Sequence, residues 1–409
     1  MITLNKKRII SWVLFDFANS SYSAVIAAVV FPIYYAQTIV GNEDGYGDLW
    51  WGRAISISMG IVAFTAPLLG GIADYRGLRK KFLFIYTIIS VCAIASLPVV
   101  EKGMIFEGFL LIVVANVGME GGLVFYNSFL PRIAPLEYQG RISAWGYMIG
   151  YVGSIISLLL ALPLVKSGRY DAAWLMVAIF FFIFSLPAFF FLPQDKKGQI
   201  PLIHAGLKGM KHTLIILREI FAKKELRKYL ISFFIYEDGV NTVIVFSSIF
   251  AATTFGFTPQ ELIALFLVVQ TTAFWGSLLL AKPIDFWGPK KVVIISLLMW
   301  TSVSIFAFFA HTKTEFWIIA IVAGFGLGTV QAASRALYSQ FIPEGKEAEY
   351  FGVYSMAGKS SAVLGPLIFG YLSTTFGNQR PAIISVAVFF IVGLVILSFV
   401  SGGGPNIKK

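Results

Sequence analysis

Residues 11–37 read SWVLFDFANSSYSAVIAAVVFPIYYAQ. Nearly every position is apolar, aromatic or small, and the run is long enough to cross a bilayer as one helix. Two residues break the pattern. Asp16 and Asn19 lie inside the apolar run, three residues apart, so a helix stacks them on one face. A carboxylate inside a membrane helix is costly, and it usually turns towards a bundle interior or a water-filled cavity. The same device returns in residues 233–250, FFIYEDGVNTVIVFSSIF, where Asp238 and Asn241 repeat the spacing and Glu237 precedes them. Such an echo predicts two related halves, each opening with a helix that carries a polar pair inward.

Composition bounds the rest. The chain has 409 residues, 57% of them hydrophobic and only 13% charged, with a mean hydropathy of +0.80. A soluble domain carries about 25% charged residues, so this is the composition of a polytopic membrane protein. Its 38 glycines suit close helix packing in a bilayer. The net charge of +11 lies in short loops between apolar runs rather than on one soluble face. That pattern speaks for membrane topology and anionic lipid, and against nucleic acid. Cys92 is the single cysteine, which excludes a disulfide framework and a cysteine metal site.

Twelve apolar segments follow one another, at roughly 10–38, 50–73, 82–100, 104–130, 142–165, 172–192, 228–254, 260–284, 291–310, 315–341, 349–374 and 381–400. Most of the 32 basic residues fall in the loops on the side of the N-terminus, while the first loop on the other side carries Glu43, Asp44 and Asp48. An excess of Lys and Arg marks the cytoplasmic side, so both termini are expected there. The only long connection is 193–227. In it Leu207, Met210, Leu214, Leu217 and Phe221 recur at helical steps among Lys208, Lys211, Arg218 and Lys223. This predicts a basic amphipathic helix at the inner membrane surface, or simply a linker between the halves. The expected domains are therefore a six-helix bundle over 1–192, this linker over 193–227, and a second six-helix bundle over 228–409.

Other anchors support the repeat. The second segment ends in Gly70-Gly-Ile-Ala-Asp74-Tyr-Arg76-Gly77, with a basic run after it. The eighth ends in Asp285-Phe-Trp-Gly288, with Lys290 and Lys291 following. Pro131 and Gly140 after the fourth segment match Pro343 and Gly352 after the tenth. All these pairs are displaced by nearly the same length of chain. Internal repeats with a site at their interface are a common plan of secondary transporters.

Two six-helix halves, a long middle loop and an Asp…Gly…basic loop resemble the major facilitator superfamily. That superfamily's loop motif is matched by Gly70, Asp74, Gly77, Arg79 and Lys80, with Tyr75 in place of the first basic residue and Leu78 displacing the basic pair. More narrowly, WVLFDFANSSYSAVI with FPIYY, and later NSFLPRIAP and GRISAWGYMIGYVG, are similar to the vacuolar amino-acid effluxer family linked to autophagy and its bacterial relatives. The resemblance implies an all-α membrane protein, with twelve transmembrane helices in two pseudo-symmetric six-helix bundles. It also implies a cavity lined by segments 1, 4, 7 and 10.

The intramembrane charges fall on those four segments: Asp16 on the first, Glu120 on the fourth, Glu237 and Asp238 on the seventh, and Arg335 on the tenth. With Asn19 and Asn241 they are the expected substrate or proton-coupling groups, since ionisable residues at membrane depth default to function. Arg335 is expected either to hold a substrate carboxylate in its guanidinium fork or to bridge the two halves, with Asp16 as partner. Tyr22, Asn116, Tyr126, Asn127, Tyr236, Gln270 and Gln331 are the candidate cavity walls, against the alternative that Asn and Gln act as interhelix glue. Gly70, Asp74, Arg76, Gly77, Asp285 and Gly288 form the expected gating loops.

No phosphate-binding glycine loop with a following Lys-Ser/Thr is present, which argues against an ATP-driven pump. Three His residues leave no zinc set, and no Ser-His-Asp set stands out. The expected protein is a monomeric secondary active transporter of the cytoplasmic membrane, without a cofactor or enzymatic activity. It moves a small polar solute by alternating access, with protons as a candidate partner; the family implies an amino acid and export. The competing readings are a lipid or amphiphile flippase of the same fold and a non-transporting membrane receptor.

Overall fold

The computed structural model describes residues 5–134, 136–194, 198–343 and 347–401. Every regular element among them is helical. The first half contains α1 (Lys6–Val40), α2 (Glu43–Arg76), α3 (Arg79–Val99), α4 (Ile105–Asn127), α5 (Leu136–Lys166) and α6 (Tyr170–Phe191). A linker helix, Leu202–Ala222, follows. The second half contains α7 (Lys224–Phe255), α8 (Pro259–Trp287), α9 (Pro289–Phe309), α10 (Lys313–Ser339), α11 and α12 (Arg380–Ser398). α11 is broken into α11a (Glu347–Ser361) and α11b (Leu364–Phe376). Among the described residues ten helices are long and apolar enough to cross a membrane by themselves. The two others are α8, where several side chains lie outside the described residues, and α11, whose break divides the span.

Local chemistry sets the ends. Asn5 accepts the Arg8 N–H at 3.3 Å and starts α1. Thr312 and Glu315 make a reciprocal capping box at α10. Gly77 (φ 68°) and Gly256 (φ 68°) take the left-handed conformation that closes α2 and α7. Proline sets the interior irregularities. Pro32 has no N–H, and its ring would meet the carbonyl of residue 28, so the helix must widen ahead of it. α1 is π-helical over Tyr22–Val29, with the Val30 N–H reaching back to the Val25 carbonyl at 3.0 Å, and again over Tyr34–Val40. In α11 the break falls just before Pro366.

The chain forms two compact units. The first holds the chain through Asn42, Arg53–Thr213 and Thr258–Ile263; the second holds Glu43–Gly52, Leu214–Phe257 and the chain from Ala264. In the first, α1 packs on α5 and α6, while α3 packs on α4 and α6. In the second, α7 packs on α11 and α12, while α9 packs on α10 and α12. The same plan is built twice. The first turns of α2 and α8, at equivalent places in the two halves, each group with the unit that does not hold the rest of their helix.

The linker helix is divided between the two units, the first holding it through Thr213 and the second from Leu214. In the first unit it lies so close to α2 that a Cβ on Gly71 would stand 2.5 Å from the Gly209 Cα, so only glycine fits. In the second unit Tyr350 of α11a donates to Glu219 at 2.9 Å and accepts from Lys223 at 2.8 Å. Ala205, Ile216 and Ile220 are buried, while Leu207, Leu214 and Phe221 are exposed.

Candidate functional site

In the first unit the polar groups gather where α1 meets α4 and α5. Asn19 is buried and donates to the Phe15 carbonyl at 3.0 Å and to Asp16 at 3.4 Å. Ser20 donates to the Asp16 carbonyl at 2.7 Å. The Asp16 carboxylate stands against α5, where a Cβ on Gly146 would lie 2.5 Å from its oxygen. Two turns later Gly153 meets the Phe17 backbone carbonyl itself, an approach no side chain permits. Tyr126 of α4 closes the other side. It stacks on Trp12 with ring centroids 4.5 Å apart and on Phe15 at 5.0 Å, and accepts the Trp12 indole N–H at its carbonyl at 3.1 Å.

One turn further along α1 begins a buried chain. The Tyr22 hydroxyl donates to Asn116 of α4 at 3.2 Å, Asn116 donates to Ser58 of α2 at 2.6 Å, and Ser58 donates to the Ile55 carbonyl at 2.8 Å. Tyr22, Asn116 and Tyr126 are thus bonded or stacked inside the bundle rather than set on an open wall. Asn127, the last residue of α4, is exposed, and Glu120 is half-buried, close enough to Tyr22 to act on it electrostatically.

In the second unit the same sequence device meets a different backbone. Asp238 is 1% exposed, and both its oxygens accept the Gly365 N–H at 2.9 Å. Gly365 lies in the first turn of α11b, so Asp238 binds a donor freed by the break and lies at the positive end of that helix. Thr242 donates to the Asp238 carbonyl at 2.7 Å, and Asn241 donates to Ser361, the last residue of α11a, at 3.3 Å. Below this lies an aromatic stack. Tyr236 pairs with the Ser334 hydroxyl at 2.6 Å, and Tyr229 donates to the Ser334 carbonyl at 2.7 Å. Tyr338 donates to the Tyr350 carbonyl at 2.8 Å. Arg335 follows Ser334 and is half-buried near the end of α10; Glu237, Gln270 and Gln331 are half-buried as well.

The α2–α3 turn is built around Gly77, with the Leu78 N–H bonded to the Ala73 carbonyl at 3.0 Å. Asp74 pairs within this turn, with Arg79 at 2.6 Å. Arg76 donates to the Ile200 carbonyl of the connection at 3.0 Å. Gly70 faces open space. Gly288 (φ 83°) makes the matching α8–α9 turn, and the side chain of Asp285 lies outside the described residues.

Four features escape the sequence reading. Lys80 donates to the Leu192 carbonyl at 2.8 Å and to that of Phe190 at 3.3 Å, and so caps α6. Lys290 donates to the Val400 carbonyl at 2.6 Å and to that of Ser398 at 3.1 Å, and so caps α12. These twin lysines have equivalent tasks in the two halves. Asp48, an acid of the first loop in sequence, is fully buried, accepting from Ser373 of α11b and from Gln379 at 2.6 Å. Lys359 on α11a sits inside an apolar segment, a signal that the rule for intramembrane charge would have caught.

This architecture, two repeats of six helices with polar groups held inside each, recurs in solved transporters. The nucleoside transporter NupG superposes with a TM-score of 0.70 at 15% identity, over 96% of this chain and 98% of that one. The human organic anion transporter MFSD10 gives 0.69 at 14% identity, over 96% and 100%. A D-xylose–proton symporter gives 0.67 at 15% identity, over 98% and 97%. At such identities the likeness is one of fold. The protein is a multi-pass membrane protein with the fold of the major facilitator transporters. Within that class, the profile of the family described as "Vacuole effluxer Atg22 like" matches residues 53–402, and the chain belongs to that family. The uncharacterized MFS-type transporter YxiO of Bacillus subtilis is 29% identical over 405 residues, 95% of this chain and 94% of that protein. Autophagy-related protein 22 of Kluyveromyces lactis is 24% identical over 401 residues, 90% of this chain and 77% of that protein.

Proposed function

We propose that the protein exports a small polar solute, an amino acid first among the classes, across the cytoplasmic membrane by alternating access coupled to protons. The observation that supports this most is Asp238, a carboxylate 1% exposed within a membrane helix and tied to the broken backbone of α11. Ionisable groups at this depth cost several kcal/mol, about 3 on insertion scales, and mark ion and proton pathways. Discontinuous helices are where transporters place such sites. Asp16 and Glu120 are the carboxylates of the first unit in the same role, and Arg335 either binds substrate or bridges the halves. The basic loops support cytoplasmic termini. The family description, which names vacuolar efflux, supports export of a metabolite.

The test is flux. The purified chain is reconstituted in liposomes, and uptake of labelled amino-acid, nucleoside and sugar pools is followed with and without a pH gradient. Amino-acid flux that grows with the gradient and falls in Asp238→Asn upholds the reading. Flux of nucleosides or sugars alone removes the amino acid. Amino-acid flux indifferent to the gradient removes the proton.

A further inference from the structure

The linker helix turns its large apolar side chains away from the protein. Ile203, Leu207, Leu214 and Phe221 follow one another at steps of four and seven residues and so form one stripe. All four are exposed, Ile203 by 74%. The buried stripe is a different one, made by Ala205, Gly209, Ile216 and Ile220 at the same steps. A helix that only joined two bundles would bury its leucines and expose its small residues. Beyond the apolar stripe, on the side away from the protein, runs a third and basic one, Lys208, Lys211 and Arg218, all exposed. Among the described residues Lys211 and Arg218 take part in no hydrogen bond or ion pair, and the Lys208 ammonium lies 4.6 Å from the centre of the Tyr75 ring. What covers the apolar stripe follows from where the helix lies. In the first unit its small side packs on the flank of α2, with Gly209 against Gly71, and a Cβ on Gly206 would stand 2.9 Å from Leu68. α2 is long and apolar enough to cross a membrane, and its apolar run gives way to charge at Asp74. Gly71 stands about 4.5 Å before Asp74 along the helix axis, and Leu68 about 9 Å. Amphipathic helices on a membrane sink to the same level, about 5–10 Å into the boundary between head groups and acyl chains.

We infer that the linker helix is a docking surface for anionic phospholipid, with its apolar stripe seated among the acyl chains and Lys208, Lys211 and Arg218 on the head groups. Exposed apolar stripes of this size mark contact with a partner or a membrane, and the flank of α2 puts this one at the level of lipid. The charge selects the lipid. Glu219 is the single acid of the helix, and it already accepts from Tyr350 and pairs with Lys223 at 3.7 Å. A neutral bilayer would satisfy the apolar stripe and leave the basic one without a counter-charge. Each base near an anionic surface strengthens binding by about fivefold, and the attraction fades within a Debye length. Anionic lipid therefore controls how firmly the helix is held against α2. This goes beyond the transport reading and is independent of what the protein carries.

The test uses the full-length protein in nanodiscs of phosphatidylcholine, with and without phosphatidylglycerol. Amide hydrogen exchange is followed over the linker helix. Spin labels on Leu207→Cys and Lys211→Cys, each in a Cys92→Ser background, are probed with oxygen and with a water-soluble nickel complex. Phosphatidylglycerol is expected to slow exchange of the linker helix at least about tenfold. The slowing is expected to vanish in high salt and in the triple variant Lys208→Gln, Lys211→Gln, Arg218→Gln. It should persist in the double variant Lys208→Arg, Lys211→Arg, which keeps the charge. The label at position 207 is expected to meet oxygen, and the one at 211 nickel. Exchange in wild type that ignores phosphatidylglycerol overturns the inference. So does full slowing in the triple variant, because other basic loops then carry the effect, and so does its loss in the double variant, because charge is then not the cause. A label at 207 open to nickel puts the stripe in water. One shielded from both probes puts a second copy or another protein on it, and either result overturns the lipid. Where the triple variant fails to fold, the two labels decide.

Discussion

The acid–amide pair of α1 and its counterpart on α7 share one spacing and meet opposite backbones. On α1 the irregularity lies in the same helix as the pair: π-turns follow Asn19, and the facing helix α5 runs unbroken past it. On α7 the helix runs unbroken for 32 residues, and the facing helix α11 is broken instead. Proline placement decides which. Pro32 widens α1, whereas Pro366 interrupts α11, because neither has an N–H to give. Asp238 then meets a freed donor across the helix pair, while Asp16 meets the smooth glycine face of α5. The repeat has kept the polar pair and moved the backbone device.

The comparison makes a demand on the glycines. Gly153 sits against the Phe17 backbone carbonyl, which cannot rotate away, whereas Gly365 sits against the side chains of Thr242 and Asp238. Gly153→Ala is therefore expected to cost about 3 kcal/mol, the upper range for overpacking. Gly365→Ala is expected to cost less but to push Asp238 off its donor and abolish transport. Thermal unfolding and flux of the two variants, measured together, check this. Equal losses of stability would erase the distinction between a backbone constraint and a polar one.

The acids themselves come next. Asp238→Ala leaves the buried Gly365 N–H without its acceptor, at about 2 kcal/mol. Asp16 is half-buried, so water can reach the site its removal leaves, and Asp16→Ala is expected to cost at most half as much. Denaturant or heat titration of both variants gives the ratio. A larger loss at Asp16 would mean that the first unit, not the second, hangs on its acid.

Much of this was legible in the chain and some was not. Twelve apolar runs, the repeated Asp-x-x-Asn and the paired Asp…Gly turns needed only local spacing, and the fold follows from them. The break in α11 did not show, because residues 349–374 are apolar enough to read as one helix and the group that stabilises the break, Asp238, is 127 positions away. Asp48 was hidden for the same reason. Beside Glu43 and Asp44 it looks like a loop charge, and only Ser373 and Gln379, from the far end of the chain, make it a buried one. Lys80 and Lys290 looked like topological charge, since the carbonyls they cap are 110 residues on or nearly so.

The tyrosines offer a smaller contrast. Tyr22→Phe removes the head of the Tyr22–Asn116–Ser58 chain, while Tyr236→Phe removes a single bond to Ser334. Each should cost about 1 kcal/mol, the usual net worth of one hydrogen bond. Tyr22→Phe should cost the more, because Asn116 loses a donor at the centre of three helices. A double variant with Asn116→Ala tests that. If the two losses simply add, the chain is only a set of separate bonds.

The smallest effect is the one on which the halves should agree. Lys80 and Lys290 each carry a cation to the carbonyl end of the last helix of their bundle, a placement worth about 0.5 kcal/mol through the helix dipole. Lys80→Met and Lys290→Met keep the apolar stem and remove only the charge. Both are expected to lower the unfolding temperature slightly and by the same amount, with high salt shrinking the difference from wild type. Two equal losses would show that the repeat preserves mechanical function wherever proline has not intervened. A large loss for Lys80→Met alone would mean that Lys80 also supports the neighbouring Asp74–Arg79 turn, which the second half builds from other residues.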